Sequence, residues 1–121
     1  MQYDWIDSYL LSKKGVTKDF QADWKWERYK LADKMFAAVC YDDNNEPYYI
    51  TVKLDPTEGE LLRQAYEDII PGYYMNKVHW NSIKVNGNLE VNTVRDILDH
   101  AYETVFKGLT RKIQAAITTE P

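Results

Sequence analysis

A chain of 121 residues with 45% apolar and 28% charged side chains has the make-up of one globular domain spanning residues 1–121, long enough to bury roughly two-thirds of its unfolded surface. A net charge of −4 counts against strong non-specific binding to nucleic acid, which depends on cations that neutralise phosphate. Cys40 is the single cysteine, which excludes an internal disulfide and suits a cytoplasmic location, and the opening MQYDWIDSYLL, with Asp4 and Asp7 but no Lys or Arg, reads as neither signal peptide nor membrane span.

Along the chain, Trp5, Ile6, Tyr9 and Leu10 recur at helical spacing and run into Lys13, Lys14 and Gly15, a stop signal, so a helix is expected over about residues 3–14. Between residues 24 and 54 the period shortens. WKWERYKLA, KMFAAVCYD and EPYYITVKL read as three strands, rich in aromatic and β-branched residues. Ala32-Asp33-Lys34 and Asp43-Asn44-Asn45-Glu46 separate them, which predicts a meander of antiparallel hairpins. LDPTEGELLRQAY then opens a helix, with Asp55 as N-cap, Pro56 first in the helix, Glu58 at capping-box spacing, and an apolar face of Leu61, Leu62, Ala65 and Tyr66. Pro71-Gly72 turns the chain into YYMNKVHWNSIKV, residues 73–85, a strand that ends at Asn86-Gly87. Val94, Ile97, Leu98, Ala101, Tyr102 and Val105 mark a long amphipathic helix over 92–107, and a short tail helix follows from Thr110. The order α, three strands, α, one or two strands, α predicts an α+β, two-layer sandwich: an antiparallel sheet with helices on one face.

The other face of that sheet follows from strand alternation. With Tyr29 and Leu31 facing the core, Trp26, Arg28 and Lys30 face out; with Ile50, Val52 and Leu54 inward, Tyr49, Thr51 and Lys53 face out; with Ile83 and Val85 inward, Trp80, Ser82 and Lys84 face out. Phe36, Ala38 and Cys40 are candidates for the same face, although their strand is apolar on both sides. Aromatics interleaved with cations suit a nucleic-acid strand, whose bases stack on rings for about 1–3 kcal/mol each while ammonium groups take the phosphates. The same residue types suit a protein partner or homodimer, and also a solvated face with no ligand. Residues 71–89 carry Lys77 and Lys84 and no acid, whereas residues 42–70 hold eight acids against Lys53 and Arg63.

The run Asn76-Lys77-Val78-His79-Trp80 adds polar candidates to this face, with Trp80 as the contact residue, Asn76 as a turn former, and His79 and Asn81 at core-side parity. Cys40 with His79 is the nucleophile–base pair on offer, and nothing in the surrounding apolar strand lowers the thiol pKa. His100 lies on the polar side of the last helix beside Asp96 and Asp99 and is expected to be solvated. The two His and one Cys lack metal-ligand spacing, and five scattered Gly form no phosphate loop. A non-enzymatic protein with no cofactor, no metal and no membrane contact is expected.

DWKWERYKLADKMFAAV, ITVKLDPTEGELLRQ, IIPGYYMNKVHWNSIKVNGNL and the helix ending AYETVFKGL together resemble the MmcQ/YjbR family over about residues 5–115. The resemblance implies a two-layer α/β fold shared with secretion chaperones and a DNA-binding role through a double-wing motif. Were the hairpin at 42–46 a wing, Asp42, Asp43 and Glu46 would repel phosphate, so the basic stretch 71–89 suits a single strand or a protein partner better than a duplex. The expected function is a small binding domain with nucleic acid as the partner the resemblance implies. A protein-interaction or homodimeric module is the alternative, ahead of a small-ligand or enzymatic role.

Overall fold

A computed structural model describes residues 3–72 and 76–119; the front of the 73–85 stretch, Tyr73, Tyr74 and Met75, lies outside them. The chain runs α1 (Ile6–Leu11), β1 (Val16–Gln21), β2 (Trp26–Leu31), β3 (Lys34–Tyr41), β4 (Pro47–Lys53), α2 (Pro56–Ala65), β5 (Ile69–Pro71), β6 (Trp80–Lys84), α3 (Val91–Lys107) and α4 (Arg111–Thr118). All strand pairs are antiparallel, in the order β1-β2-β3-β4-β6-β5. The fold is α+β, with the helices contributing to a core on one sheet face: Ile6, Leu10, Val94, Leu98, Ala101 and Ile117 meet Tyr29, Val39, Ile50, Val52 and Ile83 there.

Local chemistry starts the helices where their caps stand. Asp55 accepts from the backbone N–H groups of Thr57 and Glu58 at 3.1 and 3.4 Å, with Pro56 first in α2. The Glu58 side chain does not reach back to complete a capping box; it meets the His100 Nδ1 at 2.5 Å. Thr110 caps α4 by accepting from the Ile113 N–H. α1 is shorter than the expected 3–14, because the chain past Leu11 turns into β1.

β1 is the element the hydrophobic pattern does not announce. VTKDFQ carries Val16 and Phe20 four residues apart, and Phe20 remains exposed. Its strand form comes from pairing with β2, from Val16 opposite Leu31 to Gln21 opposite Trp26. β5 is likewise three residues held at the far edge by β6. β6 begins only at Trp80, since Asn76–His79 form a turn rather than the front of a strand.

Phe36 corrects the face assignment. The β2–β3 register shifts between Tyr29 and Lys30, so Tyr29 faces Ala37 and Lys30 faces Met35, leaving Phe36 as the extra residue of a bulge. Phe36 and Ala37 therefore both reach the helix side, where the Phe36 ring meets Tyr102 edge-on at 5.7 Å. Ala38 and Cys40 take the opposite face, as alternation predicts.

The β2–β3 hairpin closes in two residues, Ala32 and Asp33, at φ 49° and 63°. Both positive angles define a primed turn whose twist matches the strands, yet Ala carries a Cβ that disfavours it. Ala32→Gly is expected to stabilise the fold by about 1 kcal/mol at most, read as a raised denaturation midpoint at unchanged m-value.

Candidate functional site

The helix-free face is organised in cross-strand rows. Trp26, Cys40, Tyr49 and Lys84 are successive Cα partners across β2, β3, β4 and β6, and Arg28, Ala38, Thr51 and Ser82 form the next row. Lys53 stands opposite Trp80. The centre of this face is a second, smaller core: Trp26, Ala38 and Cys40 are at most 3% exposed, packed by Met35, Tyr48 and Tyr49. Thr51 and Ser82 are buried beside them and share a hydrogen bond of 3.1 Å, while the Cys40 Sγ lies 3.5 Å from the Thr51 hydroxyl.

The expected contact residues are therefore of unequal kind. Trp26 faces away from the helices but is 3% exposed. Arg28 donates to both carboxylate oxygens of Asp19, at 2.7 and 2.9 Å, and the Lys30 Nζ reaches the same carboxylate at 3.0 Å. Those hydrogen bonds hold the Asp19 carboxyl below its ordinary pKa. Tyr49 is half-buried, its ring 4.7 Å from Tyr48, and Lys84 is exposed. In the turn before β6, the Asn76 side chain accepts from the Val78 N–H at 2.8 Å, the Asx bond expected of it, and Lys77 donates to the Gly72 carbonyl at 3.0 Å. His79 is exposed rather than core-facing; it precedes the strand, so strand parity does not govern it. Asn81 is fully buried on the helix side, where it accepts from Arg63 of α2. Gly59 makes room, since a Cβ there would stand 2.9 Å from the Asn81 amide nitrogen.

At one end of this face the residues enclose a cleft of about 860 Å³, within the range of small-ligand sites. Its aromatic lining is Trp24, Trp26, Tyr48 and Trp80, with Tyr41, whose side chain packs on the helix-side core, at its border, and its polar lining includes Asp23, Asp42, Asp43, Lys25 and Asn76. The β1–β2 turn carries Trp24, which is 57% exposed and meets Trp26 edge-on at 5.5 Å. That turn is tied down because the Lys25 carbonyl, on a residue at φ 57°, accepts from the Tyr41 N–H at 3.0 Å. Asp42 is tied too: its Oδ1 accepts from the N–H groups of Asn44 and Glu46 in the β3–β4 hairpin.

This sheet and its helices have relatives. Residues 11–104 match the YjbR family model. The chain belongs to the YjbR family. It is 30% identical over 95 residues to the uncharacterized protein YjbR of Escherichia coli K12, covering 78% of this chain and 79% of that one. It is 33% identical over 93 residues to the uncharacterized protein YbdF of Escherichia coli O157:H7, covering 77% and 75%. A Deinococcus radiodurans protein with a DUF419 domain superposes with a TM-score of 0.84 at 27% identity, over 98% of this chain and 88% of that one. A Pseudomonas syringae protein superposes at 0.71 with 20% identity, over 86% and 98%, a likeness of fold.

Sequence reasoning on this YjbR-family chain found Trp26, Asn76 and Trp80 of the cleft and missed Trp24, Tyr48 and the three Asp residues. Trp24 has a usable signal, because it stands two residues before Trp26 and shares its parity. Tyr48 has none, because a second register shift between Cys40 and Tyr41 brings it to this face. A second cleft, of about 650 Å³, lies between α2 and α3 and is lined by Lys53, His79, His100 and Glu58 among others. Among the described residues, no three His, Cys, Asp or Glu side chains are grouped to hold a metal ion, and no helix is long and apolar enough to cross a membrane.

Burial pushes the Cys40 thiol up to about 12, outweighing the Thr51 hydrogen bond. A thiol-specific reagent at pH 8 is expected to leave native Cys40 unmodified for hours and to label it within minutes in denaturant. Asp19, with its pKa below the ordinary carboxylate value, stabilises the fold fully above about pH 4 and loses that contribution as pH falls through its lowered value. Asp19→Asn is expected to lower Tm at pH 7, where the carboxylate's contribution is fully present, and to leave it nearly unchanged at the acid end, so that the acid side of the Tm–pH curve flattens.

Proposed function

We propose that this chain is a non-enzymatic binding domain and that the aromatic cleft at the β1–β2 turn is its contact surface. The observation that carries this reading is the convergence of Trp24, Trp26, Tyr48 and Trp80 on one concavity, outside the helix-covered core. Indoles and phenols combine large contact area with low entropy cost, which suits them to recognition. The high thiol pKa of Cys40 argues against nucleophilic chemistry from that residue. A cytoplasmic location accords with its single, buried cysteine.

Nucleic acid along the adjoining rows is the second reading. Its support is the pairing of Lys53 with Trp80 and Lys84 with Tyr49, which alternates cations and rings across β4 and β6. Against it, Arg28 and Lys30 are both engaged by Asp19, and the neighbouring cleft is lined by carboxylates.

Four Trp residues allow one experiment to separate these readings, because Trp5 belongs to the helix-side core and serves as an internal reference. In an NMR titration of ¹⁵N-labelled protein with amine-, carboxylate- and phosphate-bearing fragments and short oligonucleotides, the Trp24, Trp26 and Trp80 indole signals are expected to move while Trp5 stays. A response confined to oligonucleotides, spreading to Lys53 and Lys84 and reversed by salt, establishes the second reading instead. Still indoles throughout, with line widths that grow with protein concentration, point to a homodimer.

A further inference from the structure

We propose that the cleft takes an alkylammonium group, with the indoles as its walls and the nearby carboxylates as its counter-charge. This rests on the reading of the cleft as the contact surface. The π-face of an aromatic ring is electronegative and attracts a cation, most strongly for Trp. Trp24, Trp26 and Trp80 line the space from the β1–β2 turn, β2 and the start of β6; Trp26 is 3% exposed and backs Trp24, so Trp24 and Trp80 are the more accessible indoles. Asp23, Asp42 and Asp43 join them from two different turns, against Lys25 alone of opposite sign among the described lining residues.

Charge complementarity selects the ligand class. Asp23 and Asp43 are exposed and form no ion pair among the described residues. Asp42 commits Oδ1 to its own hairpin. A phosphate or carboxylate entering the cleft would face three carboxylates and one ammonium. A neutral apolar group would gain the rings and leave the acids without use. A cation uses both. The Asp23 and Asp43 carboxylates stand at exposed turn positions while the rest of the lining is mainly aromatic, so a primary ammonium would give up strong hydration against the rings. An N-methylated ammonium is weakly hydrated and meets the rings at lower cost.

Two sources present this chemistry, a free quaternary amine or a methylated lysine on a protein. The full-length chain is titrated with choline, a trimethyllysine peptide, the same peptide with unmodified lysine, and 3,3-dimethylbutanol, the neutral carbon isostere of choline. Tryptophan fluorescence gives the affinity and the ¹⁵N indole signals give the place. Saturable binding of choline or the trimethyllysine peptide is expected, with Trp24, Trp26 and Trp80 shifting and Trp5 fixed. The isostere should bind at least about tenfold more weakly. Whichever methylated probe binds more tightly names the source. Asp23→Asn with Asp43→Asn, both at exposed turn positions, is expected to weaken the cation several-fold and leave the isostere unchanged, with circular dichroism reporting an intact fold. Equal affinity for the isostere overturns the proposal while leaving the cleft as a contact surface. Indoles that stay still for every probe, here and for the fragments and oligonucleotides, overturn both.

Discussion

β3 is paired along both edges and buried on both faces, with Phe36 to Cys40 at no more than 3% exposure. A strand in that position obliges the protein to cover two surfaces of its sheet. The helices cover one, through Ile6, Leu10, Val94, Leu98 and Ala101. Among the described residues no helix residue enters the other cluster, and the strands cover it with their own side chains: Trp26, Met35, Tyr48 and Tyr49 over Ala38 and Cys40. Large rings over small residues suit this task, since burying one such side chain contributes roughly 1.5–3 kcal/mol. Rings that cover from within the sheet also reach its rim, where Trp26 and Tyr48 help to line the cleft. Stability and the candidate site thus draw on the same aromatics.

Two irregularities decide which rings go where. The bulge at Tyr29/Lys30 sends Phe36 to the helix side, against Tyr102. The shift at Cys40/Tyr41 places Tyr48 beside Tyr49 on the other face, although strict alternation would separate them. An extra residue in one strand redirects every side chain beyond it. Lys25, in the left-handed region and bonded through its carbonyl to the Tyr41 N–H, then holds Trp24 over the same end of the sheet. The site lies where regular pairing gives way.

Electrostatics redistributes what the strand faces offer. Read along β2, Arg28 and Lys30 form a basic surface; in space Asp19 of β1 lies beside both and engages them. Asp23 of the β1–β2 turn and the adjacent Asp42 and Asp43 of the β3–β4 hairpin converge on the aromatic cleft. The face therefore has a compensated middle, a Lys-flanked side at Lys53 and Lys84, and an acidic aromatic end.

Much was legible before folding. The cap at Asp55, the tail helix after Thr110, the Asx turn at Asn76, the helix 91–107 and the inward parity of Ile50, Val52 and Ile83 depend on neighbours a few residues away, which the chain itself supplies. The outward parity of Trp80 and Lys84 follows the same way. β1, β5, the bulge at Phe36, the bonding of Asp19 to Arg28 and Lys30, and the meeting of Trp24 with Tyr48 and Trp80 depend on partners across the sheet. Periodicity reports which side of a strand a residue takes, but not whether a neighbouring strand neutralises or buries it. By itself the sequence determined the α+β class and the existence of an aromatic second face. Only the tertiary structure decided that this face closes over its own small core and opens as an acidic cleft, because register, bulges and cross-strand ion pairs arise between segments, not within them.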